Sequence, residues 1–355
     1  KRMKRRSWFG SALAVLAPAC AEAVQQPEVL REERSLMGTR VRLLVPGRAT
    51  ELRPALDAAW SEMARLERQL SRYREDSLLS QLARQAGGAP LVVPPLLADL
   101  LRQAKTIAQQ SGGALDPTVG AYRDWQFGTP GTQQVPAAER LAAQRRLVDW
   151  RGIEVDGNAV RLARAGMRLD LGALAKLPIL DAGLQQLRRH GVSDALIDGG
   201  GDLAAIGQVQ GRPWKVGVRD PLQPERLLAQ FALRDGWLAS SGDYERCFER
   251  DGRRYHHILD PRSGQPSQGL HGVSLLANDW RQLNGLGTAL MVAGTGFAVI
   301  FFAGISLRLV GAHRRDGGRA RGPRRHARAR RGRDGERSVA ALAEHIDATV
   351  PAKSA

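Results

Sequence analysis

Between residues 52 and 70 the apolar side chains Leu52, Leu56, Trp60, Met63, Leu66 and Leu70 return every three or four positions. That is the repeat of one buried helix face, so the spacing predicts an amphipathic helix of about five turns. A second helix is predicted over 96–110, ended by Gly112-Gly113, because glycine takes up the left-handed C-terminal conformation without steric penalty. A third is predicted to open with Pro178 as its first residue and to run to His190, with Gly191 behind it. Elsewhere the apolar residues come in short or alternating runs. These predict strands at 41–45, within 153–162, at 167–171, 195–197, 214–218 and 227–233. Two further strand-like runs flank Asp251-Gly252, a dipeptide suited to a tight hairpin turn. Strands interrupted by helices, with hairpins among them, predict an α+β fold: mixed, largely antiparallel sheets with packed helices in one large domain.

The second arm of that hairpin delivers His256 and His257 into the turn Asp260-Pro261-Arg262-Ser263-Gly264. Alternation along a strand sends His257 to one face and His256 and Ile258 to the other. His257 can be read as a hydrogen-bonded structural histidine or as a base, and the local pattern leaves both open. Asp170-Leu-Gly-Ala173-Leu-Ala-Lys176 leaves a predicted strand and opens a helix. Lys176 then stands beside exposed amides at the positive helix end, a natural place for phosphate; the alternative is a lysine snorkelling from a surface turn. Asp170 can equally be a simple cap. The run Gly199-Gly200-Gly201 either lets a ligand approach the backbone or makes a turn with positive φ, and Asp116-Pro117-Thr118 has the same ambiguity.

Composition changes this picture at the two ends. The hydrophobic fraction of 43% and charged fraction of 25% are those of a soluble globular chain. The net charge of +17 is uneven: residues 311–337 carry eleven Arg against three acids, which is 11 − 3 = +8. The folded part is therefore far less basic than the whole, and a nucleic-acid partner is not expected. Residues 311–355 form an Arg/Gly-rich tail with too few apolar positions to fold. At the other end, a basic stretch from Lys1 to Arg6, an apolar stretch from Trp8 to Ala19 and Ala21-Glu22-Ala23 read as an export signal over 1–23. Arg5-Arg6 faintly suggests the twin-arginine type, and Cys20 is a second, lipoprotein-like option. Periplasmic localisation is the expectation, with membrane association through Cys20 or residues 286–307 as its variant. The latter run has no charged residue, yet glycines interrupt it and the buried reading is favoured over a span.

Eight motifs stand in order through residues 35–290. They are Met37-Gly38-Thr39, Ser71-Arg72-Tyr73, Gly113-Ala114-Leu115-Asp116-Pro117-Thr118, Asp170-x-x-Ala173-x-x-Lys176, Asp198-Gly-Gly-Gly-Asp202, Ser241-Gly242-Asp243-Tyr244, His256-His257-Ile258-Leu259-Asp260-Pro261 and Gly285-x-x-Thr288-Ala289. None is specific alone, but together they resemble the ApbE-type FAD:protein FMN transferases. The resemblance implies a flavin transferase domain over 24–310 that takes FAD as donor and needs Mg²⁺. It implies FMN transfer to a threonine of a partner protein, an exported or membrane redox subunit, with release of AMP. By position, Met37, Tyr73, Ala114, Leu115, Asp116, Asp170, Lys176 and Ile258 would contact FAD. The Ala173 carbonyl, Asn284 and the Thr288 hydroxyl would hold the metal, and His257 would be the general base. Two departures stand out. Asn284 occupies a position where the family carries Asp, removing one negative charge beside the metal, with Asp279 the nearest acid that could compensate. Leu177 replaces the glycine expected after Lys176. An FAD carrier that has lost transfer, and an FAD hydrolase giving FMN and AMP, are the alternatives.

Overall fold

The computed structural model describes residues 28–128, 131–223 and 225–294. The predicted export signal with Cys20, the Arg/Gly tail and the part of the apolar run beyond 294 lie outside the described residues.

The chain opens with the hairpin β1 (Val29–Leu36) and β2 (Thr39–Pro46), followed by α1 (Ala49–Leu70) and α2 (Leu78–Arg84). Next come β3 (Leu91–Val92), α3 (Pro95–Gln110), α4 (Ala138–Arg145), β4 (Ile153–Asp156) and β5 (Ala159–Leu162). After α5 (Lys176–Arg189) the chain is mostly strand: β6 (Ala195–Asp198), β7 (Leu203–Ile206), β8 (Trp214–Arg219), β9 (Leu227–Leu233) and β10 (Gly236–Gly242). The hairpin β11 (Cys247–Arg250) and β12 (Arg253–His256) precedes β13 (Gly272–Ala277) and α6 (Leu286–Ala293).

Six strands form the central sheet in the order β1-β2-β6-β7-β10-β13, and every described pairing is antiparallel. Alternation splits its side chains between two cores. Val41, Leu43, Ile197, Ala204, Ile206 and Leu275 face the larger one, shared with Trp60 and Met63 of α1 and Leu180 and Leu184 of α5. Leu196, Leu203, Ala205 and Leu238 face the other way, against Trp214, Val216 and Leu233 of the β8–β9 hairpin. Burying a side chain of this size contributes roughly 1.5–3 kcal/mol. The inner strands β6 and β7, covered on both faces, therefore read as apolar runs, whereas the edge strand β1 carries Arg31, Glu32, Glu33 and Arg34.

Three expectations need correction. Residues 167–171 form no strand; they pass beside the Asp116 loop, where the Asp170 N–H donates to the Pro117 carbonyl at 2.7 Å. The third helix opens at Lys176 rather than Pro178, yet Pro178 still lies in the first turn, where no N–H is needed. The first helix begins earlier than its apolar stripe, with Pro54 inside it. Within the apolar run 286–307, residues 286–293 form the short α6, and no described helix is long and apolar enough to cross a membrane.

Candidate active site

The site is built where the β11–β12 hairpin, the turn before α5 and the segment leading into α6 meet. Asp251 and Gly252 have φ of 53° and 69°, the paired positive values of a tight hairpin turn. Beneath it lies an aromatic cluster: Trp125 stacks on Phe127 at 5.3 Å and Phe248 on Tyr255 at 5.3 Å. From that cluster the Tyr122 hydroxyl donates to the Pro261 carbonyl and the Trp125 indole to the Gly264 carbonyl, both at 2.8 Å. The two bonds pin the turn that follows His257, so its strand cannot drift along the sheet.

β12 ends at His256, and alternation carries one residue further: His256 and Ile258 are buried, His257 half-buried. His256 faces the Ser267 carbonyl through Nε2 at 2.9 Å and is a structural histidine. His257 faces the Arg246 carbonyl through Nδ1 at 3.3 Å. A carbonyl can only accept, so Nδ1 carries the proton and Nε2 keeps its lone pair in the neutral ring. Burial, then the charge of Arg246, then His256 and Lys176, depress the His257 imidazolium to about 3. The ring is thus neutral at physiological pH.

Two ion pairs flank it. Arg72 bridges Asp170, whose Oδ1 also accepts the Gly172 N–H at 2.8 Å. Burial alone would raise the Asp170 carboxyl, but Arg72, the Gly172 N–H and Arg246 outweigh it and hold it low. Lys176 pairs with Asp202 at 3.2 Å, and the other oxygen of Asp202 accepts the Ser240 N–H at 2.9 Å. Lys176 is the first residue of α5, and no side chain caps that first turn, which leaves backbone amides beside the lysine.

The expected metal set is contiguous with these groups. A Cβ on Gly285 would lie 3.0 Å from Leu174 and 3.3 Å from Leu115, so the Asn284 segment sits against the Ala173 turn and the Ala114–Asp116 loop. A Cβ on Gly287 would lie 2.6 Å from Ser241 Oγ, which places Thr288 next to the end of β10. Asn284 is fully buried; its amide donates to Gln103 Oε1 at 2.9 Å, while its Oδ1 has no partner. An orphaned, buried, neutral oxygen fits a hard cation that prefers oxygen ligands. Among the described residues no three His, Cys, Asp or Glu side chains group as a metal site. Asp279 supplies no replacement charge: its Oδ1 accepts the Arg281 N–H at 3.0 Å and pairs with that residue's guanidinium at 3.2 Å.

The remaining positions are distributed around this centre. Tyr73 is 74% exposed, its ring under the Arg72 guanidinium and its hydroxyl 3.4 Å from the Arg246 guanidinium. Met37 occupies the β1–β2 turn with φ of 55° and lines an open hollow with Thr39, Glu67 and Glu245. Ala114 and Leu115 are buried. The Asp116 carboxylate is taken up by Thr118 and Trp150: Oδ1 accepts the Thr118 N–H at 2.8 Å and hydroxyl at 2.5 Å, Oδ2 the Trp150 N–H at 3.0 Å. Burial raises its carboxyl despite these bonds. Its visible work is to shape the loop.

Ordered motifs converging on one fold identify the lineage. The ApbE family profile matches residues 37–303. This chain belongs to the ApbE family. A relative from Treponema pallidum named FAD:protein FMN transferase is 37% identical over 297 residues, covering 78% of this chain and 82% of its own. A Rhodobacter capsulatus relative of the same name is 34% identical over 251 residues, covering 69% of this chain and 47% of its own. Among solved structures, an ApbE protein of Thermotoga maritima superimposes with a TM-score of 0.69 at 31% identity, covering 75% of this chain and 88% of its own. The flavinyl transferase ApbE of Pseudomonas stutzeri in its apo form gives 0.65 at 29% identity, covering 76% and 86%. ApbE membership accounts for the α+β architecture, and it makes this chain a transferase by kinship as well as by motif.

Sequence reasoning did not assign three residues that the geometry brings into the site: Arg72, Asp202 and Arg246. The first two lie inside motifs already singled out. Arg246 follows Ser241-Gly242-Asp243-Tyr244 by two positions, and only the hairpin pairing reveals that it faces His257.

Proposed function

We propose that this chain transfers FMN from FAD to a threonine hydroxyl of a partner protein, releasing AMP. The observation that carries the proposal is His257, held by the Arg246 carbonyl with Nε2 unprotonated and close enough to Lys176 to feel its charge. In the reaction the threonine Oγ forms a bond to the flavin-side phosphorus of FAD. The bond from that phosphorus to the bridging oxygen breaks, AMP leaves, and the threonine proton passes to His257 Nε2. The family name supports the transferase class; the threonine acceptor, the metal and AMP release, implied by the resemblance, belong to the proposal.

The chain's own residues divide the work of phosphoryl transfer, which is chiefly alignment and charge neutralisation. Tyr73 offers an exposed flat face for the isoalloxazine ring. Lys176 and the free amides of the α5 N-terminus take the diphosphate, while Asp202 keeps Lys176 in place. Asn284 Oδ1, the Ala173 carbonyl and the Thr288 hydroxyl would hold Mg²⁺, which when bound supplies positive charge at the diphosphate. Three neutral ligands imply weak affinity for the bare ion and tighter binding once diphosphate oxygens join the shell.

The expected setting is the periplasm, with an exported or membrane-bound redox subunit as acceptor; the export signal is read from sequence. Asn284 favours a second reading, an FAD carrier with impaired transfer. Incubating the protein with FAD, Mg²⁺ and an acceptor domain, then following in-gel flavin fluorescence and AMP, separates the readings. Labelled acceptor and AMP in equal amounts support transfer. AMP without label indicates hydrolysis, and FAD binding without either product indicates a carrier.

A further inference from the structure

We infer that Arg246 is a second cation, beside Lys176, that receives the diphosphate charge of the flavin donor. The inference rests on the transferase reading above and deepens it. Each neighbouring cation already has a carboxylate: Arg72 has Asp170 and Lys176 has Asp202. Arg246 is half-buried and, among the described residues, has no carboxylate within ion-pair distance; its guanidinium meets only the Tyr73 hydroxyl, at 3.4 Å. A half-buried guanidinium that makes no ion pair keeps its N–H donors free for an incoming anion. Three groups of the site surround it: Tyr73 at the guanidinium, His257 at the carbonyl, and Asp170 close enough to be held low by its charge. A donor whose ring lies on Tyr73 and whose reacting phosphorus lies near His257 must pass its diphosphate between them, where Arg246 stands. Guanidinium also suits the task geometrically, since its planar fork binds phosphate oxygens in pairs.

The test compares FAD with riboflavin, which keeps the ring and lacks the diphosphate, by quenching of flavin fluorescence in the full-length protein. In Arg246→Gln, FAD affinity is expected to fall about 10- to 100-fold, with riboflavin affinity unchanged within twofold. Arg246→Lys restores charge without the fork and is expected to recover most of the loss. Equal losses for FAD and riboflavin would mean that Arg246 only shapes the ring site, and unchanged FAD affinity would mean that it touches nothing; either overturns the inference. Should the wild-type protein bind FAD no more tightly than riboflavin, the donor assignment itself fails, a result distinct from any behaviour of the variant.

Discussion

The carbonyl oxygen of Arg246 accepts twice from His257, from the backbone N–H at 3.1 Å and from Nδ1 at 3.3 Å. One residue therefore sets the tautomer of this histidine, while its side chain reaches Tyr73. The proposed ring face at Tyr73 and the proposed proton acceptor at His257 are thus both held by the residue that precedes β11.

His257→Ala removes the proton acceptor without touching Lys176 or the α5 amides. Flavin transfer is expected to fall roughly 10²- to 10⁴-fold, while FAD affinity stays within a few-fold. In-gel fluorescence of the acceptor and fluorescence quenching of FAD check the two halves of that statement. A variant that transfers at wild-type rate would remove His257 from the chemistry.

Acid should destabilise the fold through the same ring. The folded His257 titrates at about 3, against an ordinary value of 6.5, so the unfolded chain binds the proton first. Its contribution is fully present above pH 6.5 and drains away as pH falls through that window towards 3. The slope is at most about 1.4 kcal/mol per pH unit, and less because solvent reaches part of the ring. Urea midpoints measured between pH 7 and pH 4 should decline, and decline less in His257→Gln.

Asn284→Asp places a carboxylate where a buried neutral oxygen has no partner. Without metal the fold should lose about 1–3 kcal/mol, because the charge is desolvated and the bond to Gln103 Oε1 is lost, a carboxylate having no N–H to donate. Millimolar Mg²⁺ should restore it and raise the melting temperature more than in the wild type. Thermal unfolding with Mg²⁺ and with EDTA measures both; a variant indifferent to Mg²⁺ would separate Asn284 from any metal site.

Gly200→Ala tests the glycine run that the sequence left ambiguous. Gly200 has φ of +75°, and an added Cβ would lie 2.2 Å from Thr39 Oγ1, on the strand that follows Met37. Strain and collision together should cost about 1–3 kcal/mol. The companion variant Thr39→Ser retains the hydroxyl and should not rescue it, whereas Thr39→Gly should recover the part due to collision. Denaturant midpoints of the three decide between them.

Local chemistry made much of this protein legible before any coordinates. The stripe from Leu52 to Leu70 predicted a buried helix face, Asp251-Gly252 predicted a tight turn, and the covered strands β6 and β7 read as apolar runs. Eight short motifs in order sufficed for the ApbE lineage. Residues 167–171 misled because an apolar run is the same whether it pairs in a ladder or lies against a loop; partner choice is not written in the run itself. What tertiary structure alone decided is which charges are already balanced. Arg72, Lys176 and Arg246 are three similar cations in the sequence, but the fold pairs Arg72 with Asp170, 98 residues away, and Lys176 with Asp202, and among the described residues gives Arg246 no ion pair. Pairing across such distances depends on how helices and hairpins pack, and packing is a property of the whole fold rather than of any stretch of it.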